Sequence, residues 1–491
     1  MTKSRLTVAA ARKKCVQCAG NPLLQRCCAA CGGTGLRVKA AKVNKAAAAP
    51  PAKPAFSLEL PPKPGPFSDP LSALRSVWGF PRFRPGQQQI IDAVVAGEDI
   101  VGIAPTSFGK TACFQVPSVM RVDRPVLVMS PLISLMRDQV TQALDRGIPA
   151  LAITSQYTPG ELTAAIAAMP GASLIYAAPE RFDDPRFAAQ LRANPPWLVA
   201  LDECHVAGHE AGLSYRPAYR FARDLLDRRN IGMQTQWIAM TASATEDTVE
   251  DIRERFRMRN ARVIRLSCDR PNLSYRVRAC EGGSKIIAVR NLLDKHLAAG
   301  GAGIVYTLWR QDAEDIADYL RRQGREARHY HAGMTGKGQR REVEELFFGK
   351  KLDVVVATCA FGMGVDRSDV RVVVMHGLPK SIEDFYQMAG RGGRDGKPSV
   401  AVALYDSGKD YRTRKWLITS GKDLTQNRYS ERYGFTEDKF EQSKERQLGL
   451  LRQLDEFLRS RRCRAQLLRQ YFSEEAGKPC GNCDNCELFS R

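Results

Sequence analysis

Apolar runs of four or five residues alternate along most of the chain with amphipathic stretches long enough to form helices. In the first half these runs cover residues 100–103, 126–129, 174–177, 197–201 and 237–240. A second series covers residues 303–307, 327–330, 353–357, 372–375 and 400–404. Short buried strands separated by helices are typical of parallel sheets covered on both faces. The pattern therefore predicts an α/β fold with two tandem parallel-sheet lobes.

Three further segments do not follow this alternation. Residues 40–66 are rich in Ala, Pro and Lys and have no hydrophobic period, which is typical of a linker. Beyond residue 406 a polar stretch precedes a helical run with one apolar face, formed by Leu448, Leu451, Leu454, Phe457 and Leu458. We therefore predict a basic N-terminal segment (1–39), the linker (40–66), lobe 1 (67–270), lobe 2 (271–418) and a helical module (419–491).

Composition and charge limit the class of protein. The chain has 491 residues, 44% of them hydrophobic, which is enough for several large cores. The net charge is +21, and about half of it lies in residues 1–58, which contain Lys and Arg but no Asp or Glu. This charge favours a polyanionic partner such as nucleic acid, with a solubilising basic tail as the alternative. We expect no membrane helix and no signal peptide, and hence an intracellular protein.

Residues 104–111, Ala-Pro-Thr-Ser-Phe-Gly-Lys-Thr, form a candidate phosphate-binding loop. The loop follows a strand-like run and opens a helix, so backbone N–H groups and Lys110 can hold phosphates while the Thr111 hydroxyl reaches Mg²⁺. Ser107 and Phe108 stand where such loops prefer glycine. The remaining residues nevertheless predict a nucleotide site.

An acidic pair supplies the second half of this predicted site. Asp202 and Glu203 directly follow the apolar run 197–201. Asp202 would complete the coordination shell of Mg²⁺, and Glu203 would orient or deprotonate an attacking water. Together the two motifs predict hydrolysis of a nucleotide.

Lobe 2 contributes an arginine-rich segment, Gln387 to Asp395, which reads Gln-Met-Ala-Gly-Arg-Gly-Gly-Arg-Asp. The glycines allow close backbone approach, so Arg391 or Arg394 could enter a cleft between the lobes and neutralise charge on a γ-phosphate. A basic turn on a solvated surface is the alternative, but that alternative does not account for the phosphate loop in the other lobe.

Nine of the fourteen cysteines fall into two groups, at residues 15–31 and 463–486. In an intracellular chain, Cys-x2-Cys pairs indicate metal binding before disulfides. Four thiolates suffice for a structural Zn²⁺ site, predicted at Cys463, Cys480, Cys483 and Cys486. A second, N-terminal zinc ribbon is predicted at Cys15, Cys18, Cys28 and Cys31. Cys27 is an alternative ligand, and an incidental or redox-active cluster is the alternative to zinc.

Nine stretches, in order along the chain, resemble the RecQ family of superfamily 2 DNA helicases. The resemblance runs from about residue 78 to residue 486. The stretches are residues 83–87, the phosphate loop, 130–136, 178–181, the Asp-Glu-Cys-His box at 202–205, 240–244, 330–333, 360–364 and 387–395.

This resemblance implies two RecA-like lobes that couple ATP hydrolysis to 3′-to-5′ translocation on single-stranded DNA and to unwinding of forked or tailed duplexes, in repair or recombination. The implied cofactors are ATP, Mg²⁺ and Zn²⁺. The implied nucleotide-binding residues are Arg84 and Gln87 (adenine), Thr106, Gly109, Lys110, Thr111 and Asp202 (phosphates and Mg²⁺), Glu203 (water), Asp366 (ribose), Arg394 (arginine finger) and Arg391 (second phosphate contact). His205, Thr241 and Ser243 would couple the ATP site to DNA.

The chain also departs from the family pattern. An aromatic-rich loop usually follows the Asp-Glu box, but residues 206–215 contain no tryptophan and only Tyr215 remains as a residue that could stack on a base. From the chain's end at Arg491 we expect no winged-helix domain. Two alternatives to a helicase therefore stay open: a DNA-stimulated translocase with little processive unwinding, and a nucleic-acid-binding or annealing protein with weak ATPase. Protein partners could bind residues 1–58, and the expected location is the nucleus in a eukaryote or the cytoplasm or nucleoid in a bacterium or virus.

Overall fold

The computed structural model describes residues 59–106, 108–131, 133–207, 217–231, 235–242, 244–258, 260–281, 284–334, 336, 338–361, 367–420 and 437–489. The predicted N-terminal segment with its four cysteine ligands and most of the linker lie outside these residues. So do Ser107, Tyr215, Ser243 and Asp366.

Lobe 1 is built on a seven-stranded, all-parallel sheet in the order β3-β4-β2-β5-β6-β1-β7. Its strands are β1 (Ile100–Ile103), β2 (Val126–Met129), β3 (Ala150–Ile153), β4 (Leu174–Ala177), β5 (Leu198–Asp202), β6 (Gln236–Thr241) and β7 (Arg262–Arg265). The helices are α1 (Pro70–Ala73), α2 (Gln87–Val95), α3 (Ala112–Met120), α4 (Ile133–Asp145), α5 (Pro159–Ala168), α6 (Pro185–Ala193), α7 (Pro217–Arg220), α8 (Ala222–Arg228) and α9 (Glu246–Arg255). The predicted parallel sheet is confirmed, with β3 and β7 as additional strands.

Lobe 2 repeats the architecture with six parallel strands in the order β10-β11-β9-β12-β13-β8. The strands are β8 (Leu273–Ala279), β9 (Ala302–Tyr306), β10 (Ala327–Tyr330), β11 (Val354–Ala357), β12 (Val370–Met375) and β13 (Ser399–Tyr405). The helices are α10 (Ser284–His296), α11 (Arg310–Arg322), α12 (Gln339–Phe348), α13 (Ile382–Ala389) and α14 (Lys409–Thr419). Each sheet separates two hydrophobic clusters, because apolar side chains cover both of its faces.

A helical module follows lobe 2 and consists of α15 (Glu437–Arg459), α16 (Arg464–Tyr471) and α17 (Asp484–Phe489). The apolar face predicted for α15 is buried: Leu451, Leu454, Phe457 and Leu458 join the core of lobe 2. Asp484 accepts a hydrogen bond from the backbone N–H of Val277 in β8 (2.9 Å), which fixes the module to the edge of the second sheet. Among the described residues, no helix has both the length and the apolarity needed to span a bilayer.

Candidate nucleotide site and zinc module

The phosphate loop lies at the carboxyl end of β1, where a parallel sheet gathers ligand-binding residues. Gln87 fixes its backbone: the Gln87 side-chain amide donates to the carbonyls of Phe108 (2.9 Å) and Gly109 (3.2 Å) and accepts from the backbone N–H of Arg84 (2.9 Å). Gly109 has a φ of +86°, and a Cβ there would lie 2.7 Å from the Gln87 amide nitrogen. Glycine is therefore required, and the two residues assigned to adenine flank the loop.

Phe108 explains one unusual feature of the loop sequence. Its side chain is buried and belongs to the hydrophobic cluster on one face of the first sheet. Burial of a phenylalanine side chain stabilises the folded state by about 2 kcal/mol. At this position, where such loops prefer glycine, Phe108 therefore anchors the loop to the core.

The acidic pair stands at the end of β5, close to the phosphate loop. The Lys110 Nζ atom lies 3.4 Å from a Glu203 carboxylate oxygen. Glu203 has a φ of +52°, a left-handed conformation that costs a non-glycine residue about 1 kcal/mol or more. Tyr219, which the sequence did not indicate, donates to the carbonyl of Asp202 (2.6 Å) and also contacts the carbonyl of Met129 (2.9 Å). The strand end that carries both carboxylates is thus tied to its neighbour β2.

The two carboxylates differ in their electrostatic environment. Burial and the charge of Glu203 raise the pKa of Asp202 to about 7. Burial also opposes ionisation of Glu203, but the charges of Lys110 and Arg391 and the neighbouring His205 outweigh it and lower the pKa of Glu203. The pair therefore favours a bound cation, because two carboxylates are buried side by side and Lys110 is the cation that acts on both of them.

His205 connects the acidic pair to lobe 2. Its Nε2 atom lies 3.0 Å from the side-chain nitrogen of Gln387 on α13, and its Nδ1 atom lies 3.1 Å from the Thr241 hydroxyl and 3.5 Å from Glu203. An amide nitrogen only donates, so Nε2 accepts and Nδ1 carries the proton. The structure thus brings His205 and Thr241 into contact, and their role in coupling stays a prediction. Gln387 is a partner whose side chain was not singled out.

Both predicted arginines lie beside Tyr306, at the carboxyl end of β9. Burial raises the pKa of the Tyr306 phenol, and the charges of Arg391 and Arg394 oppose that rise. Arg391 is 9% exposed and close enough to Glu203 to act on its carboxylate across the cleft. The arginine segment therefore faces the cleft between the lobes.

A second connection between the lobes begins at the phosphate loop. The Thr106 hydroxyl donates to the carbonyl of Gly390 (3.1 Å). Buried Arg270, between β7 and β8, lies 3.2 Å from the same hydroxyl and donates to the carbonyls of Gly392 (2.8 Å) and Gly393 (3.0 Å). Arg270 thus holds the backbone of the arginine segment, a role that no sequence motif indicated.

The four C-terminal cysteines converge as the sequence predicted. Their sulfur atoms lie within 4.8 Å of one another, and those of Cys463 and Cys480 are 3.5 Å apart. Hydrogen bonding from Cys480 and from the backbone N–H groups of Arg464 and Cys486 lowers the pKa of Cys483 to about 4. Clustered sulfurs that accept backbone N–H groups are suited to a tetrahedral structural zinc site.

Two parallel-sheet lobes with a phosphate loop, an acidic pair and an arginine segment at their facing edges define a superfamily 2 helicase core. Family models agree: residues 84–252 match the DEAD/DEAH box helicase model, 284–396 the helicase conserved C-terminal domain and 408–487 the RecQ zinc-binding model. The chain belongs to the RecQ family of ATP-dependent DNA helicases. The predicted cofactors ATP, Mg²⁺ and Zn²⁺ agree with these matches and with the sulfur cluster.

Individual relatives support the same family. The chain is 35% identical to the probable ATP-dependent DNA helicase RecS of Bacillus subtilis, over 70% of this chain and 68% of RecS. It is also 35% identical to the ATP-dependent DNA helicase RecQ of Pasteurella multocida, over 85% of this chain and 62% of that protein. The chain thus spans less than two thirds of the length of that RecQ, and 66% of the RecQ of Bacillus subtilis.

Solved structures with low sequence identity share the fold. The helicase Lhr of Mycobacterium smegmatis, bound to single-stranded DNA and AMP-PNP, superposes with a TM-score of 0.58 at 19% identity, covering 79% of this chain and 58% of Lhr. The DEAD-box helicase Mss116, bound to single-stranded RNA, gives a TM-score of 0.60 at 14% identity, covering 80% of this chain and 90% of Mss116. These likenesses establish the two-lobed architecture.

Proposed function

We propose that the chain is an ATP-dependent DNA helicase that translocates 3′-to-5′ on single-stranded DNA and separates the duplex ahead. The carrying observation is the two-lobed site: Lys110 and Glu203 of lobe 1 are 3.4 Å apart, and Arg391 of lobe 2 acts electrostatically on Glu203. A nucleotide site divided between two lobes lets hydrolysis open and close the cleft. Relatives named ATP-dependent DNA helicases support DNA as the substrate.

Residues of lobe 1 would bind the nucleotide and its metal. Gln87 and Arg84 would contact adenine, and Thr106, Gly109 and Lys110 would hold the phosphates. Mg²⁺ would be held by Thr111 and Asp202, and when bound it supplies positive charge at the β- and γ-phosphates. The fit is chemically sound, because a divalent cation would offset the burial and the charge repulsion from Glu203 that together raise the pKa of Asp202 to about 7.

The remaining roles concern hydrolysis and coupling. Glu203, held ionised by Lys110, His205 and Arg391, would orient and deprotonate the attacking water. Arg394 would serve as the arginine finger and Arg391 as a second phosphate contact. His205 and Thr241 would transmit the state of the nucleotide to DNA. We also propose that Asp366 contacts the ribose and that Ser243 and Tyr215 act in coupling and DNA binding. These three roles rest on the sequence alone.

Zinc would have a structural role. We propose Cys463, Cys480, Cys483 and Cys486 as its ligands, an assignment supported by their convergence and by the RecQ zinc-binding match. Four protein ligands leave no open position for catalysis. For Cys15, Cys18, Cys28 and Cys31, zinc binding rests on the spacing of the cysteines alone. The proposal also includes domain boundaries at residues 39, 66, 270 and 418 and a role in repair or recombination. It further includes protein partners that bind residues 1–58 and a nuclear, cytoplasmic or nucleoid location.

The decisive experiment is strand separation on 3′-tailed, 5′-tailed and forked duplexes with ATP and Mg²⁺. Wild type should unwind the 3′-tailed and forked substrates, and Lys110→Ala should abolish unwinding. Lys351→Ala is the matched control, because Lys351 is an exposed lysine in the turn before β11, at the edge of the sheet opposite the cleft. Equal unwinding by wild type and Lys110→Ala would refute the proposal.

Duplex length separates the two DNA-motor hypotheses. A processive helicase should release strands from duplexes of increasing length, whereas a translocase with little processive unwinding should hydrolyse ATP on single-stranded DNA but release only the shortest strands. An annealing protein with weak ATPase would show neither ATP-dependent release nor DNA-stimulated turnover.

A further inference from the structure

A second group of potential metal ligands lies in lobe 2, on the edge strand β10. His329 lies in β10, His331 directly follows the last residue of that strand, and the stacking of their rings places both side chains on the same side of the sheet. Glu314 on α11 covers that face. One ligand atom from each of the three residues lies within 4.8 Å of the others, and His331 Nε2 is 2.9 Å from a Glu314 oxygen.

The histidines are held in place by packing. Their rings stack with centroids 5.3 Å apart and planes 12° apart. His331 is 4% exposed, and a Cβ at Gly333 would lie only 3.2 Å from its Nδ1 atom, so the glycine gives the ring its room. The two Nδ1 atoms are buried without a hydrogen-bond partner, which leaves each ring with unused donor or acceptor capacity.

Charged side chains on α11 surround the three proposed ligands. Asp318, one turn from Glu314 on α11, lies near His329 as well, and Arg321 pairs with Asp318. Arg310 lies beside His331 too, since a Cβ at Gly333 would be 3.0 Å from an Arg310 guanidinium nitrogen. Two carboxylates and two arginines thus surround the group, so it is the geometry of the ligand atoms that favours a metal ion.

We propose that Glu314, His329 and His331 form a binding site for one Zn²⁺ ion, separate from the cysteine cluster. Two imidazoles and one carboxylate are a ligand set that Zn²⁺ accepts, and they leave a fourth position for water. Ligand atoms of a tetrahedral zinc site are about 3.4 Å apart, so the group must contract slightly around the ion. Glu314 can adjust, because its side chain is 42% exposed. The bound ion would link α11 to the edge of the second sheet.

Zinc uptake by the full-length protein tests this site. The protein is first equilibrated at a low buffered Zn²⁺ concentration that fills the cysteine sites, and then at micromolar free Zn²⁺, with bound zinc measured by mass spectrometry. Wild type should take up one more ion per chain in the second step than His329→Phe, which keeps a stacked ring but removes the nitrogens. The affinity lost in this variant should exceed about 100-fold, more than removal of an outer-shell partner costs.

Two further variants control the result. Glu314→Gln retains a hydrogen-bonding oxygen for His331 but removes the anionic ligand, so this variant should also fail to bind the second ion. It tests the site independently of any change in packing that His329→Phe causes. His296→Phe changes a partly buried histidine outside the cluster and should bind zinc as wild type does. Melting temperatures at low zinc establish folding, and only proteins with the site should gain stability from added zinc. Equal second-step uptake by wild type, His329→Phe and Glu314→Gln would overturn the proposal.

Discussion

Replacing Arg270 with alanine tests whether the arginine segment must be held by the connection between the lobes. Arg270 donates to the carbonyls of Gly392 (2.8 Å) and Gly393 (3.0 Å) and approaches the Thr106 hydroxyl (3.2 Å) and the Gly390 carbonyl (3.4 Å). Its removal leaves Arg391 and Arg394 in place but frees the backbone that presents them. We therefore expect a defect in hydrolysis rather than in DNA binding.

The structure sets the size of this effect. Hydrogen bonds from a charged donor contribute about 1.5–3 kcal/mol each, and the two short ones dominate. Partial compensation remains, because Asn272 still donates to the Gly393 carbonyl (2.8 Å) and Thr106 to the Gly390 carbonyl (3.1 Å). A net loss of about 2–3 kcal/mol in the hydrolysis-competent state corresponds to roughly 30- to 150-fold in kcat.

Steady-state ATP turnover with saturating single-stranded DNA measures this loss, and binding of labelled DNA without nucleotide gives the affinity. Arg124→Ala is the matched control: Arg124 also donates to two carbonyls, of Pro195 (3.1 Å) and Pro196 (3.0 Å), but within lobe 1 and away from the cleft. Both variants should lose stability, yet only Arg270→Ala should lose kcat, with KM nearly unchanged. A kcat within threefold of that of Arg124→Ala would refute the reasoning.

Three further predictions follow from local geometry. Gly390→Ala puts a Cβ 2.3 Å from the Thr106 hydroxyl, so this variant should separate the lobes and lower kcat for ATP hydrolysis. In the control Gly449→Ala the added Cβ has no atom within 4 Å, so kcat should not change. Equal kcat values for the two variants would contradict this prediction. Burial and nearby lysines lower the pKa of His376 to about 4, so the folded protein binds its proton less readily than the unfolded chain, and stability is lost as pH falls from about 6.5 towards 4. Urea unfolding should show that wild type loses about 2 kcal/mol more than His376→Gln between pH 8 and pH 5, and parallel losses would exclude this origin. Cys483→Ser should remove one zinc per chain and lower the melting temperature of the helical module, while the exposed Cys359→Ser should retain the metal; full zinc content in Cys483→Ser would disprove the assignment.

The parts of the molecule that sequence predicted are those encoded over short stretches. The phosphate loop and the Asp-Glu pair each follow one apolar strand, and the carboxyl ends of parallel strands bring them to one edge of the sheet. The two lobes were recognisable from the same alternation. The sequence did not predict strand β3, because its residues, Ala-Leu-Ala-Ile, include fewer β-branched side chains than the neighbouring strands, although all four are buried.

The residues that sequence missed act across long separations. Arg270 meets the arginine segment more than a hundred residues later in the chain, and Gln387 meets His205 across the cleft. Neither contact leaves a local pattern, because each depends on how the two lobes meet. Phe108 is an intermediate case: the sequence marked it as unusual, but only the packing explains why a large apolar side chain stands in a phosphate loop.

Two connections between the lobes begin at residues proposed to bind or hydrolyse the nucleotide. The first runs from Glu203 through His205 to Gln387, and the second from Thr106 to Gly390 and Arg270. Gln387 lies in the last turn of α13, and Gly390 directly follows that helix. Both connections therefore act on the segment of lobe 2 that carries Arg391. A change in charge at Glu203 or in position at Thr106 therefore reaches the same arginine by two routes. Opening the cleft requires that both connections break, so each of them contributes to how firmly the lobes are held together at the nucleotide site.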